Sequence, residues 1–264
     1  MHYLALGLEY DGHAFHGFQK QPDVPTVQAE LEQALSQVAD EKISLVTAGR
    51  TDAGVHASGQ VISFSSSRDR PLQAWVKGTN SLTSGAISVL WALKVDQQFS
   101  ARFSALSRRY IYVWHRADHR GALARNLVCH TNVELDAKRM HSAVQPLLGE
   151  HDFTSFRAAG CQARNAQRNV HRVQVCRFGE TVVLDITANA FLLHMVRNIA
   201  GSLFQIGIRQ EPVDWMQSLL ALRDRRLAAA TSRPEGLYMV KVDYPHPYDF
   251  PEPCLPIVLH HVEI

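Results

Sequence analysis

Cysteine is sparse in this chain and nowhere paired in sequence. Four of the 264 residues are cysteines (Cys129, Cys161, Cys176 and Cys254). No C-x-x-C occurs, so neither a zinc ribbon nor a dithiol redox motif is indicated, and reduced thiols in a cytosol are expected. An excess of one charge is missing as well: 27 Lys and Arg against 25 Asp and Glu leave +2, too little to select a class of partner. There is no long apolar run. The longest apolar stretch, 190–208, contains His194, Arg197 and Asn198 and cannot cross a bilayer as an ordinary lipid-facing helix, so no membrane contact is expected. The first residues run into Glu9 and Asp11 without a basic start, which argues against a signal peptide. The phosphate-cradling patterns G-x-x-x-x-G-K-[ST] and G-x-G-x-x-G are absent, as is G-x-S-x-G around any serine. Nucleotide loops and an α/β-hydrolase nucleophile are therefore disfavoured. His115 and His119 stand four apart, with neither a Glu between them nor an obvious third ligand, so no metal is expected. Chemistry without metal or cofactor is the consistent expectation.

What is present is the composition of a folded protein, 46% hydrophobic and 20% charged, long enough for one or two domains with a core that needs no staples. Charge is concentrated locally. Residues 1–50 carry three basic against seven acidic side chains, whereas residues 99–177 carry thirteen against five. One basic stretch holds Arg102, Arg108, Arg109, Arg116, Arg120 and Arg125, interleaved with Phe99, Phe103, Tyr110, Tyr112 and Trp114. The other holds Arg157, Arg164, Arg168, Arg172 and Arg177 with no acid among them. Guanidinium groups contact phosphate bidentately and stack on bases, so a nucleic acid fits these stretches; a solvated basic face is the alternative.

The order of elements repeats. Residues 2–9 alternate weakly and read as a strand. Val27, Leu31, Ala34, Leu35 and Val38 share one helical face, with Thr26 placed to cap it. Short β-rich runs at 43–47 and 60–64, a helix at 72–82 and a strand at 87–95 complete a β-α-β-β-α-β order, the ferredoxin-like arrangement. The second half repeats it: a strand at 109–115, a helix at 136–148, strands at 170–178 and 181–187, a helix at 191–206, an inserted helix at 212–222 and a last strand at 237–242. The expectation is an α+β protein of two ferredoxin-like halves, 1–98 and 99–264, with mainly antiparallel sheets joined around a catalytic cleft.

The segment 48–61 is the most distinctive. Glycines at 49, 54 and 59 frame Asp52 and permit a tight loop that can hold a carboxylate rigidly. An Asx-turn residue fits the same pattern, and no second Asp stands in a matching setting for an aspartic-protease pair. In the 191–206 helix, Arg197 shares a face with Leu193, Ala200 and Phe204, with Gly201 leaving room beside it. Such a partly buried arginine needs an anion, whether a catalytic carboxylate or a structural one. Tyr110 shares a strand side with Arg108, Tyr112 and Trp114, a pattern that fits core packing as well as a ligand surface. A non-catalytic RNA-binding module accounts for the basic stretches, and a small-molecule hydrolase for Asp52, but neither accounts for both.

Residues 49–57, Gly-Arg-Thr-Asp-Ala-Gly-Val-His-Ala, resemble the catalytic loop of the TruA family, tRNA pseudouridine synthases acting on uridines 38–40 of the anticodon stem-loop. Further matches follow in order: Tyr10-Asp11-Gly12 with Phe15 and Gly17-Phe18-Gln19; Phe103-Ser104-Ala105 with Arg108-Arg109-Tyr110-Ile111-Tyr112; residues 152–156; residues 194–199; and residues 234–238. His13 and Asn165 depart from the family's usual residues. The resemblance covers nearly the whole chain and implies a cofactor-free isomerase and a cytoplasmic homodimer whose partner is tRNA. It makes Asp52 the catalytic carboxylate, Arg197 its partner, and Tyr110 the residue against the target uracil, stacking on it or serving as base. Arg50 would fill the space left by a flipped base, and Leu237 would wall the pocket. Arg102, Phe103, Arg108, Arg157, Gln162, Arg164 and Arg168 are the candidates for gripping RNA.

Overall fold

The computed structural model describes residues 1–259. In chain order the principal elements are β1 (His2–Tyr10), α1 (Val27–Ala39), β2 (Val46–Thr47), β3 (His56–Ser66), α2 (Leu72–Leu82), β4 (Ile87–Val95) and β5 (Ser107–Arg116). They continue with β6 (Cys129–Thr131), α3 (Ala137–Val144), β7 (Gly149–Asp152), β8 (Gln167–Phe178), β9 (Thr181–Ala188), α4 (Met195–Gly207), α5 (Trp215–Leu222) and β10 (Leu237–Asp243). The class is α+β with mostly antiparallel pairing, as expected. Two compact units emerge, one built from Met1–Arg108 with Tyr238–Ile257 and one from Arg109–Leu237. The division thus follows residue 108 rather than residue 98. The intervening loop belongs to the first unit because Phe99 packs its ring on Tyr244, Tyr248 and Phe250, Ala101 N donates to Ser63 Oγ at 3.0 Å, and Leu106 N donates to Asp243 O at 2.8 Å.

In the first unit the strands run β4-β1-β3-β10, with β2 on β3. β1 is antiparallel to both β3 and β4, whereas β10 lies parallel to β3, Tyr238 opposite His56 and Met239 opposite Ala57. The weak alternation of β1 has a physical cause: Leu4, Ala5, Leu6 and Leu8 are all fully buried, as in a strand covered on both faces. Helix α1 starts where Thr26 Oγ1 accepts from Ala29 N at 3.4 Å and buries Val27, Leu31, Ala34 and Leu35. Helix α2 sets Trp75 edge-on to Phe64, centroids 5.1 Å apart.

In the second unit β5-β9-β8-β7 form the sheet, with the short β6 parallel to β5. β6 and β7 are additions to the expected order, too short to show a period of two. The helix expected over 136–148 is α-helical only to Val144 and ends in a 3-10 turn, Gln145–Leu147, because Pro146 has no N–H to continue it. Helix α4 begins at Met195 rather than at 191, since His194 holds a left-handed conformation (φ 59°). Leu193 is consequently off the helix, over a third exposed, and not on the face of Arg197. The core joins Met140, Val144 and Leu147 to Ile199, Leu203, Ile206, Met216 and Leu219, all fully buried.

Candidate functional site

Asp52 lies half-buried in the loop between β2 and β3. The residues on either side of it are tied down. Thr51 O accepts from Phe18 N at 3.0 Å, and Asp52 O from Val55 N at 3.1 Å across the Ala53-Gly54 turn. Thr51 Oγ1 is 2.8 Å from the Tyr10 hydroxyl. Gln60 Nε2 donates to that hydroxyl at 3.2 Å and to Gly49 O at 2.8 Å. Of the three framing glycines only Gly54 takes a positive φ, 79°; Gly59 serves strand packing instead, since a Cβ there would sit 2.1 Å from Val240 O. Beyond the turn, the buried His56 stacks on Tyr238 (centroids 4.8 Å, planes 21° apart). Its Nδ1 is 3.2 Å from both Gly12 N and Asp11 Oδ1. The His56 hydrogen bond, opposed by partial burial, holds the Asp11 carboxyl below its ordinary range. Tyr10, His56 and Asp11 carry no chemical signature of their own in the sequence beyond membership of the matching segments, and Gln60, past the end of the 49–57 match, has none.

The expected RNA contacts of this unit divide into two kinds. Arg50 is exposed. Arg102 lies over the Phe103 ring, 5.2 Å from its centroid, and Phe103 is 81% exposed, an arrangement open to a stacking partner. Arg108 is engaged with backbone carbonyls: Nε and Nη2 donate to Ala48 O at 3.2 and 3.0 Å, Nη1 to Ala105 O at 3.1 Å, and Nη2 to Arg102 O at 2.7 Å. It thereby ties the start of the Asp52 loop to the loop carrying Phe103.

In the second unit Tyr110 is 7% exposed on β5, edge-on to Phe191 with centroids 5.0 Å apart. Arg197 is half-buried on α4, and its Nε donates to Ser232 O at 2.8 Å while Ser232 N donates to Arg197 O at 3.1 Å. The segment carrying Ser232 lies tightly on the helix. A Cβ at Gly201 would be 2.1 Å from Ala230 O, and Asn198 Oδ1 accepts from Thr231 Oγ1 at 2.6 Å and Arg225 Nη2 at 3.0 Å. Tyr112 OH donates to Arg233 O at 2.8 Å. The same segment runs on to Leu237, which is buried.

Among the remaining expected contacts, Gln162 and Arg164 are exposed. Arg157 Nη2 donates to Cys161 O and Ala163 O, each at 2.8 Å, and Arg168 Nη1 to Asn165 O at 3.4 Å, so both brace the loop that presents Gln162 and Arg164. Two arginines of the basic stretches converge on one buried carboxylate, Arg109 largely covered and Arg172 still exposed. Arg109 grips the fully buried Asp185 in two parallel bonds of 2.8 and 3.0 Å, and Arg172 lies 3.2 Å from the same carboxylate. Among the described residues no group of three or more His, Cys, Asp or Glu could hold a metal ion, and no helix is long and apolar enough to cross a membrane.

Residues 8–104 and 143–245 match the family described as tRNA pseudouridine synthase. The chain belongs to that family. It is 54% identical over 252 residues to tRNA pseudouridine synthase A of Shewanella sp. (strain MR-4), covering 96% of this chain and 97% of that protein. With the protein of the same name from Shewanella amazonensis it shares 53% over 249 residues, covering 94% of this chain and 95% of the relative. The resemblance read from the ordered motifs therefore holds over nearly the full length, and membership makes the chain an isomerase. Asp52, Arg197 and Leu237 fall within the two stretches matched by the family; Tyr110 falls between them.

Proposed function

We propose that the protein converts uridine to pseudouridine in the anticodon stem-loop of tRNA, with Asp52 as the catalytic carboxylate. The observation that carries this reading is the Asp52 loop itself: the family's catalytic sequence, folded so that the residues before and after the aspartate are hydrogen-bonded in place. In the reaction the bond from ribose C1′ to uracil N1 breaks, the base turns, and C1′ joins C5. The C5 proton leaves and N1 gains one, so no oxidant or reductant is needed. A uridine within a stem-loop must leave its stack to reach a carboxylate. Arg50 occupies the vacated space, Tyr110 stacks on the uracil, and Leu237 closes the pocket wall. Arg197 opposes the charge of Asp52. Arg102, Phe103, Gln162 and Arg164 contact RNA, while Arg108, Arg157 and Arg168 hold the loops that carry them. The enzyme acts as a cytoplasmic homodimer. Release of tritium from tRNA labelled at uridine C5, with the modified positions mapped, tests the reading. Wild type releases label and modifies the anticodon stem-loop, whereas Asp52→Ala retains less than a hundredth of the rate while binding tRNA within about tenfold, roughly 1.4 kcal/mol. Modification confined to other regions of tRNA would overturn the substrate assignment.

A further inference from the structure

The hydrogen bonds beneath the Asp52 loop have a direction. Gln60 is fully buried, and its amide orientation follows from its partners: Oε1 accepts from Val61 N at 3.2 Å, and Nε2 donates to Gly49 O at 2.8 Å. The second Nε2 hydrogen is then given to the Tyr10 oxygen at 3.2 Å. Tyr10 is itself 4% exposed, so an unpaired phenol hydrogen would be costly. Thr51 Oγ1, 2.8 Å away, is its acceptor. The order is Gln60 to Tyr10 to Thr51, ending on the residue before the catalytic aspartate. Burial pushes the Tyr10 phenol up to about 12, so the group stays protonated and the chain keeps its direction throughout the working range.

We propose that Tyr10 is a positioning residue for Asp52, acting through Thr51 and, with Gln60, through Gly49. The proposal rests on the reading of Asp52 as the catalytic group. Two bonds of independent origin fix Thr51: the phenol holds its side chain, and Phe18 N holds its carbonyl at 3.0 Å. Gln60 fixes Gly49, so the chain enters Asp52 from two restrained positions. Displacement of a reacting group by a fraction of an ångström lowers rate more than affinity, and phosphate contacts elsewhere hold the RNA independently of this chain.

The test compares wild type, Tyr10→Phe, Thr51→Val, Thr51→Ser, the Tyr10→Phe/Thr51→Val double variant and Asp52→Ala, measuring single-turnover rates on tRNA labelled at uridine C5, tRNA affinity and thermal unfolding. Tyr10→Phe keeps the ring and should lower the single-turnover rate about 10–100-fold, with tRNA affinity changed by no more than about twofold. Thr51→Val should match it, Thr51→Ser should stay within about threefold of wild type, and the double variant should be no slower than the worse single one by more than about twofold. The deficit of Tyr10→Phe should be the same factor from about pH 6 to pH 9, since the phenol does not titrate there. A wild-type rate in Tyr10→Phe with Asp52→Ala inactive would overturn the proposal, as would a loss confined to affinity, equal losses in Thr51→Ser and Thr51→Val, or a deficit that changes with pH. Wild-type turnover in Asp52→Ala would instead remove the reading beneath it.

Discussion

Under the proposed function Arg197 has two tasks that a point substitution can separate. Its Nε is committed to Ser232 O, which holds the side chain in place, and the charge it carries is the part assigned to Asp52. Removing one member of the proposed charge pair would leave the other without its counter-charge. Arg197→Ala should therefore lose single-turnover activity almost as completely as Asp52→Ala, and the double variant should be scarcely slower than either. Arg197→Lys keeps the charge without the planar fork and should fall between wild type and Arg197→Ala. Strictly additive losses would separate the two residues. Tyr110 offers a cleaner division. Its ring meets Phe191 edge-on, and Tyr110→Phe preserves that contact along with stacking. Near wild-type turnover in this variant would assign Tyr110 to stacking alone, and a stall after glycosidic cleavage would assign it the C5 proton as well.

Helix α4 and the segment laid across it stand or fall together. Alanine is favoured over glycine in a helix by about 1 kcal/mol, so Gly201→Ala would stabilise an isolated α4. In the folded unit the added carbon meets the Ala230 carbonyl at 2.1 Å, and displacing a packed backbone segment costs about 1–3 kcal/mol. Gly201→Ala should thus lower the melting temperature, and it should also reduce activity because the displaced segment carries Ser232. The link between α1 and β3 is a carboxylate instead. Glu41 accepts from Ser66 Oγ at 2.5 Å and from Ser67 N and Oγ at 2.7 and 2.6 Å, and these bonds bring its carboxyl down to about 2 from an ordinary 4.5. A lowered folded pKa means stability that is fully present above the unfolded value and lost as pH falls through the folded one. Glu41→Gln should be less stable than wild type at pH 7, and the gap should close on acidification between about 4.5 and 2. Urea denaturation across that range would show it; a gap that widens with acid would contradict the assignment.

At the scale of the molecule, a net charge of +2 conceals a basic excess over residues 99–177, whose arginines are held in different ways. Asp185 neutralises Arg109 and Arg172. Backbone carbonyls hold Arg108, Arg157 and Arg168. Arg102, Arg120, Arg125 and Arg164 are exposed. Only the exposed group should set the salt dependence of tRNA binding. Arg164→Gln is expected to weaken binding similarly for different tRNAs and to reduce the slope of log affinity against log salt by about 1. Arg157→Gln should instead lower the melting temperature, because the carbonyls of Cys161 and Ala163 lose their donor. Affinity measured across a salt series, alongside thermal unfolding, separates the two.

The amino-acid sequence by itself determined β1, α1, α2 and β4 of the first unit almost to the residue, since their apolar periods are local, whereas it placed β2 over 43–47 and only the middle of β3, 60–64. It also determined the family, since six ordered motifs are read without knowing where they meet. The proposal of Asp52 as the catalytic carboxylate rests on those motifs rather than on its glycines, of which Gly54 alone takes a positive φ. Tertiary structure decided where the first unit ends and that β10 completes it. It also decided that α4 starts after a left-handed His194, and which arginines remain exposed. The reason is range. Arg108 finds the Ala48 carbonyl 60 residues away and Arg109 finds Asp185 at 76, distances over which no periodicity carries information. The Tyr10 hydroxyl reaches Thr51 across 41 residues, and only the folded sheet places a tyrosine from its first strand beneath the loop that holds Asp52.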